Sequence, residues 1–248
     1  MKTKGKYIGV ESRIPYDLLE SVVIEVVCTG VYDKTKCLDQ IKVKTTGENR
    51  AKKILKHISV FVRTNELILN FLYRERGFNW IINLTNDEKK ALILCLFCNG
   101  FPIAYDIIIG ISQVFKVQSS VSKEVIKSKI GSIYGSNRAM DIAITEILPL
   151  LLACKIIKRI KMGVYTSTSQ LKIGSDLITE LIVYTDINQS KSKSILIDDV
   201  LNRPWYLPFE VNQQVILKPK YILRKQDSSI GRGYISMKKL AERNESIN

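Results

Sequence analysis

The stretch "ALILCLFCNGFPIAYDIIIGISQVFKV", residues 91–117, is the part of this 248-residue chain that water tolerates least. It has to be enclosed by protein or by lipid. By hydropathy it qualifies as a membrane-spanning candidate. Three features place it in a protein core instead. Asn99-Gly100-Phe101-Pro102 divides it into pieces too short to cross a bilayer. Asp106 would lie unpaired in hydrocarbon, which is expensive. Residues 64–120 hold five basic and five acidic side chains, so no positive bias orients a span. The run "ILPLLLACKII" at 147–157 is also too short to cross. Both read as buried core helices, with a membrane span kept as the minority alternative, and 46% hydrophobic residues are enough to surround them.

The length suits a few small units, read here as 1–84, 85–170 and 171–248. The basic N-terminus "MKTKGKYIGVESRIP" has no apolar segment, so it is not a secretory signal. Cys28, Cys37, Cys95, Cys98 and Cys154 are odd in number and lie in or beside apolar runs. That usage points to a reduced, cytoplasmic protein.

The formal net charge is +14, from 38 Lys and Arg against 24 Asp and Glu. It is uneven. Residues 1–63 carry 13 basic and 7 acidic side chains, and residues 121–170 carry 8 and 3. Such an excess suits nucleic acid, an anionic membrane surface or an acidic protein partner. Its concentration in two segments favours phosphate.

Those two segments look alike. "TGENRAKKI" begins at Thr46 and "YGSNRAMDI" at Tyr134, an offset of 88 residues. In the first, a helix over 14–29 has Pro15 at its start and Gly30 beyond its end. Asp33 then caps a short helix carrying Cys37, Leu38 and Ile41. After a polar break at 42–46, Thr46 caps a helix over 47–63 with Ala51, Ile54, Leu55, Ile58 and Val62 as its apolar stripe. The helical pattern continues over 65–74, and 77–84 is a connection. Thr85 with Glu88 makes a capping box for a helix to about Cys98, and another helix covers 103–115.

In the second segment Ser122 caps a short helix carrying Val125, Ile126 and Ile130. A break at 131–135 follows. Ser136 caps a helix over 137–152 with Ala139, Ile142, Ala143, Ile147 and Leu150 inward, kinked by Pro149. Residues 156–161 and 164–167 then pair as a hairpin about Met162-Gly163, with Ile156, Ile157, Ile160 and Val164 in the core. Cap, short helix, tight break and longer helix thus occur twice, which is helix-turn-helix logic, and the hairpin adds a wing to the second copy. Residues 175–187 read as a helix, although 182–184 could be strand, and 194–211 as a short helix followed by an irregular aromatic stretch. Residues 213–239 read as strands, with a turn at 227–233 joining 221–224 to 234–237. The expected fold is mainly α (α+β): tandem helix-turn-helix and winged-helix modules around a helical core, with a small C-terminal β-rich region.

Chemical motifs are scarce. The single histidine, His57, sits among lysines and reads as exposed or duplex-facing. Cys95-Leu96-Phe97-Cys98 has CxxC spacing but no activating cation beside it, so two buried thiols are expected. There is no phosphate-binding glycine loop and no metal-ligand spacing. The expectation is no enzyme, no cofactor, no metal, no small-molecule substrate and no membrane partner.

On the DNA reading, Thr45, Thr46, Asn49, Arg50, Lys53 and Lys56 face phosphates or base edges from the first module. Ser136, Asn137 and Arg138 play those parts in the second. Lys158, Arg159 and Lys161 lie along the backbone from the wing. The alternative is that Thr46 and Asn49 only cap their helix and Arg50 is solvated.

The order "RIPYDLLESVVIEVVCTGVYDKTKCLDQI", "TGENRAKKILKHI", "EKKALILCLFCNGFPIAYDIII" and "SKEVIKSKIG…SNRAMDIAITEILPLLLACKIIKR" resembles the small A component of BREX phage-exclusion systems (BrxA). The likeness covers residues 14–161 and leaves the strand-rich tail outside it. It implies a cytoplasmic, non-enzymatic DNA-binding accessory of a prokaryotic anti-phage island, working beside other defence proteins. Two rival readings stand beside it. One is a protein–protein adaptor docking through the aromatic stretch 205–209. The other is an RNA-binding helical domain of antitermination type.

Overall fold

A computed structural model describes residues 8–229 and 231–240. They form eleven α-helices, two short 3-10 turns and eight short strands in three small sheets. The protein is mainly helical.

Local signals set most boundaries. α1 (Tyr16–Thr29) starts after Pro15 and stops at Gly30, whose φ of +72° is left-handed and whose N–H bonds to the Val26 carbonyl. A side chain at Gly30 has no room, because a Cβ would meet the Tyr73 ring at 2.7 Å. α2 (Lys34–Lys44) is capped by Asp33, which accepts from the Thr35 and Lys36 amides. α3 (Glu48–Thr64) presents Ala51, Ile54, His57, Ile58 and Phe61 to the core.

The apolar pattern does not carry α3 on into the next helix. The chain breaks at Asn65, before α4 (Glu66–Glu75). Asn65 is buried, and its side-chain N–H2 donates to the Phe61 and Leu96 carbonyls at 2.8 Å each. One amide thus closes the end of α3 and ties it to the next core helix. The expected connection at 77–84 is instead a helix, α5 (Gly77–Asn83), which buries Ile81.

α6 (Asn86–Gly100) begins at the Thr85–Glu88 capping box, with both reciprocal bonds made. Every residue from Ala91 to Gly100 is buried. α7 (Pro102–Phe115) turns away from it by 118° at Phe101. Among the described residues no single helix is long and apolar enough to cross a membrane. α6 is enclosed by α1, α3, α7 and, most extensively, α10 (Asp176–Ser190).

After α7 come β1 (Ser120–Ser122), α8 (Lys123–Tyr134), α9 (Arg138–Ala153), β2 (Ile157–Lys161) and β3 (Val164–Ser167). The three strands form an antiparallel sheet in the order β1-β3-β2. The expected hairpin is present, with Gly163 at φ +71° in its turn. Three expectations in this segment fail. α8 runs through the expected break as far as Tyr134. Val125 on its side is 40% exposed rather than inward. Of the α9 positions expected inward, Ala143, Ile147 and Leu150 are buried, whereas Ala139 is exposed and Ile142 half-buried, and Met140, Ile144 and Leu148 are buried beside them. The buried stripe overlaps the expected face and extends to one neighbouring row.

In the last third, β4 (Leu171–Lys172) pairs in parallel with β6 (Phe209–Glu210). β5 (Ile195–Leu196) and β7 (Leu223–Gln226) flank β8 (Tyr234–Met237) in an antiparallel sheet. Residues 213–217, expected in a strand, form α11 (Gln213–Leu217), opened by Asn212, which accepts from the Gln214 amide. Ile230, in the β7–β8 turn, lies outside the described residues. The buried apolar residues from Val10 to Ile235 form one continuous cluster that runs through all three segments of the chain.

Three buried carboxylates hold that last third in place. Glu88 adds the Gly174 and Ser175 amides to its capping role. Asp186 takes two bonds from Arg203, at 2.6 and 2.8 Å, and one from the Tyr105 hydroxyl at 2.5 Å. Glu180 accepts from four successive backbone amides, Lys220 to Leu223. Replacing Glu180 with Ala strands several of these donors in the core. The expected loss is on the order of 3 kcal/mol in urea unfolding. A loss below about 1 kcal/mol would mean that water or neighbours satisfy those amides.

His57 is buried, against the expectation of exposure. It packs edge-on to Phe101, and its Nε2 accepts from the Glu11 amide at 3.2 Å. Burial lowers its pKa from the ordinary 6.5, because the cation loses hydration and that acceptor. Its stabilising contribution is therefore complete above pH 6.5 and drains away as the pH falls below that value, where the unfolded chain takes up the proton first. Melting temperature should drop more between pH 7.5 and 5 in the wild type than in His57→Gln. Equal drops would show that His57 does not carry the effect.

Candidate nucleic-acid interface

Two pairs of helices, each joined by a three-residue connection, have nearly the same dimensions. α2 has 11 residues and α3 has 17, joined by residues 45–47. α8 has 12 and α9 has 16, joined by residues 135–137. The look-alike Asn-Arg-Ala triplets nevertheless occupy different positions. Asn49 is the second residue of α3, behind a Gly47 cap that makes no side-chain bond. Asn137 is itself the cap of α9, and its Oδ1 accepts from the Met140 amide at 3.0 Å.

Burial gives the same answer. Shifting the buried α3 positions Ile54, His57, Ile58 and Phe61 by the sequence offset of 88 lands on Ile142, Thr145, Glu146 and Pro149, none of them buried. Shifting by 90 lands on Ile144, Ile147, Leu148 and Leu151, all buried, while the fifth buried position, Ala51, lands on half-buried Asp141. The helix starts, Glu48 and Arg138, are 90 residues apart, so the triplets are out of register with them by two residues.

Capping also differs from expectation at both turns. Thr46 does not cap α3 and Ser136 does not cap α9. Ser136 has a packing role instead, because its Oγ would lie 2.8 Å from a Cβ at Gly131.

The outer faces of the two second helices are chemically opposite. On α3, Asn49, Arg50, Lys53, Lys56 and Arg63 are exposed. Lys52 is exposed too and pairs with Glu48 at 2.7 Å. Lys34 and Lys42 extend the basic surface along α2, with Thr46 exposed and Thr45 half-buried at the turn. Among the described residues none of Lys34, Lys42, Arg50, Lys53, Lys56 and Arg63 is ion-paired. On α9, the outward side chains are Arg138, Ala139, Asp141, Ile142, Thr145 and Glu146. Asp141 is paired with Lys127 at 3.1 Å, and the Lys123 Nζ donates to the Thr145 hydroxyl. One cation and two carboxylates make this a poor phosphate surface.

The hairpin is basic again. Lys158, Arg159 and Lys161 on β2 are exposed, and the Arg159 guanidinium lies 5.9 Å from the Tyr165 ring centroid. Ile160, expected in the core, is 59% exposed, and Met162 at the turn is 97% exposed. Ile157 is the buried residue of β2, and Ile160, three residues on, falls on the opposite face of the strand. The hairpin tip is tied to α8 through the Lys123 amide and the Gly163 carbonyl at 2.8 Å.

Two other sequence features change meaning. Cys95 and Cys98 are buried on α6, and burial pushes the Cys95 thiol up to about 12, far from a reactive thiolate. Trp205, Tyr206 and Phe209, the suggested adaptor patch, are buried in the core, with the Trp205 indole N–H bonded to the Ile182 carbonyl. Among the described residues no three His, Cys, Asp or Glu side chains gather as metal ligands. No protein-family model, curated protein or solved structure matches this chain.

The unequal roles of the two asparagines can be measured. Asn137→Ala should cost about 1 kcal/mol in thermal or urea unfolding, because it removes a helix cap. Asn49→Ala, on an exposed helix surface, should stay within about 0.5 kcal/mol. Equal losses would restore the motif-for-motif equivalence of the two modules.

Proposed function

We propose that the protein binds duplex DNA through the basic outer face of α3, with the β2–β3 hairpin as a second contact, and performs no chemistry on it. The observation that carries this reading is the row of unpaired cations on α3. Arg50, Lys53 and Lys56 share the outer side of a helix that follows a three-residue turn, and no described carboxylate neutralises them. Counterion release rewards such a row of charges whatever the base sequence.

The finer fold reading belongs to the same proposal. In chain order α7, β1, α8, α9, β2 and β3, with the sheet order β1-β3-β2, follow the plan of a winged helix. In this reading α9 is the structural member of the pair, Asn137 caps rather than contacts, and the wing supplies Lys158, Arg159 and Lys161. Thr45, Thr46 and Asn49 sit at the start of α3, where a helix N-terminus suits a phosphate. A place in a BREX-like defence system rests on the order of elements alone. RNA remains the rival ligand, because a basic helix serves either polymer.

The test is fluorescence anisotropy with labelled duplex DNA, single strands and structured RNA across 50–300 mM salt. Duplex affinity should fall steeply with salt. The triple variant R50E/K53E/K56E should lose at least about tenfold in affinity and flatten the salt slope by about 3, one per phosphate contact. K158E/R159E/K161E should have a smaller effect of the same kind. Salt-independent binding, no binding at low salt, or an unchanged α3 variant would overturn the reading, and preference for RNA would replace DNA as the ligand.

A further inference from the structure

A cleft of about 610 Å³ opens between the end of α1, the start of α2, α3 and α4, at the edge of the apolar core. This volume lies in the range of small-molecule sites. Its lining has three chemically distinct parts. Val26, Val60, Val62 and Leu69 form an apolar wall, and Tyr32 adds a ring whose hydroxyl lies 3.4 Å from the Ser59 Oγ. Asn70 also lines the cleft, and its side-chain Nδ2 is shielded from water with no hydrogen-bond partner. Lys34, Lys56 and Arg63 stand at the rim against a single carboxylate, Glu66. None of these three cations is paired with another described residue.

We infer that this cleft binds an amphipathic organic anion, a compact aromatic or branched aliphatic body carrying a carboxylate, sulfonate or phosphate. The apolar body displaces water from the valine and leucine wall. The anionic group lies at the rim, where Lys56 and Arg63 stand two turns apart on α3 and Lys34 stands on α2. An inorganic anion meets only the rim and a neutral hydrocarbon only the wall, so the site selects molecules that combine the two. The inference does not depend on the duplex-binding reading, and its readouts involve no nucleic acid.

The probe is 1-anilinonaphthalene-8-sulfonate, titrated into the full chain by fluorescence and calorimetry. Neutral N-phenyl-1-naphthylamine and inorganic sulfate serve as half-ligands. We expect one sulfonate probe per chain, bound at least about tenfold more tightly than either half-ligand. K56E/R63E, two exposed positions whose exchange leaves the core intact, should weaken the sulfonate probe about tenfold and leave the neutral probe within about twofold. V60W should fill the cleft and abolish both, with circular dichroism confirming the fold. Several probes per chain, sulfate binding as tightly as the probe, or a K56E/R63E variant that binds like the wild type would each overturn the assignment.

Discussion

Everything in this structure is arranged around helices that cannot touch water. α6 is buried on all sides from Ala91 to Gly100, and α10 is nearly as enclosed from Leu177 to Ile187. Such a pair has to be covered in every direction, which draws α1, α3, α7 and the last third of the chain onto one core. The cost of this arrangement is polar. α10 carries Thr179, Glu180, Thr185 and Asp186 into the interior. The two carboxylates persist there because the surrounding chain meets them with backbone amides from 220–223 and with the Arg203 guanidinium. The C-terminal region is therefore a wall of the core rather than an appendage, and the aromatic residues of 205–209 are its mortar.

That enclosed core also explains how charge is sorted. With α6 and α10 filling the interior, α3 lies across the core as a surface helix. One stripe is used for packing and the rest is left to Arg50, Lys53, Lys56 and Arg63. α9 occupies a similar place relative to α8, yet its outer side holds Asp141 and Glu146. Two units of the same dimensions thus present opposite chemistry. The basic partner of the second unit is its hairpin, not its helix.

Local chemistry was legible in the sequence wherever a boundary depended on nearby residues. Pro15 and Gly30 bracket α1, Asp33 opens α2, Thr85 and Glu88 open α6, and Gly163 turns the hairpin. Each of these signals works through bonds within a few residues. Failures came where a distant group decided. Asn65 ends α3 because Leu96 receives its amide, and His57 is interior because the Glu11 backbone and Phe101 enclose it. In the candidate interface, the exposure of Arg50, Lys53, Lys56, Lys158, Arg159 and Lys161 agreed with expectation, since charged side chains without partners stay in water. The caps at Thr46 and Ser136 did not, because the choice between neighbouring polar residues depends on backbone geometry set by the turn.

The sequence by itself determined that this chain is mainly helical, where most helices begin, that a basic hairpin follows the 138–153 helix, and that its positive charge gathers in two segments. Periodicity and capping are local, so they survive without a third dimension. Only the tertiary structure decided that the two Asn-Arg-Ala triplets stand two residues out of register, that one turn-following helix is basic and the other is not, and that the aromatic tail is core. Those are questions of which face of a helix meets a neighbour. A rotation of one or two residues, about 100° each, changes that face without changing the pattern a sequence displays.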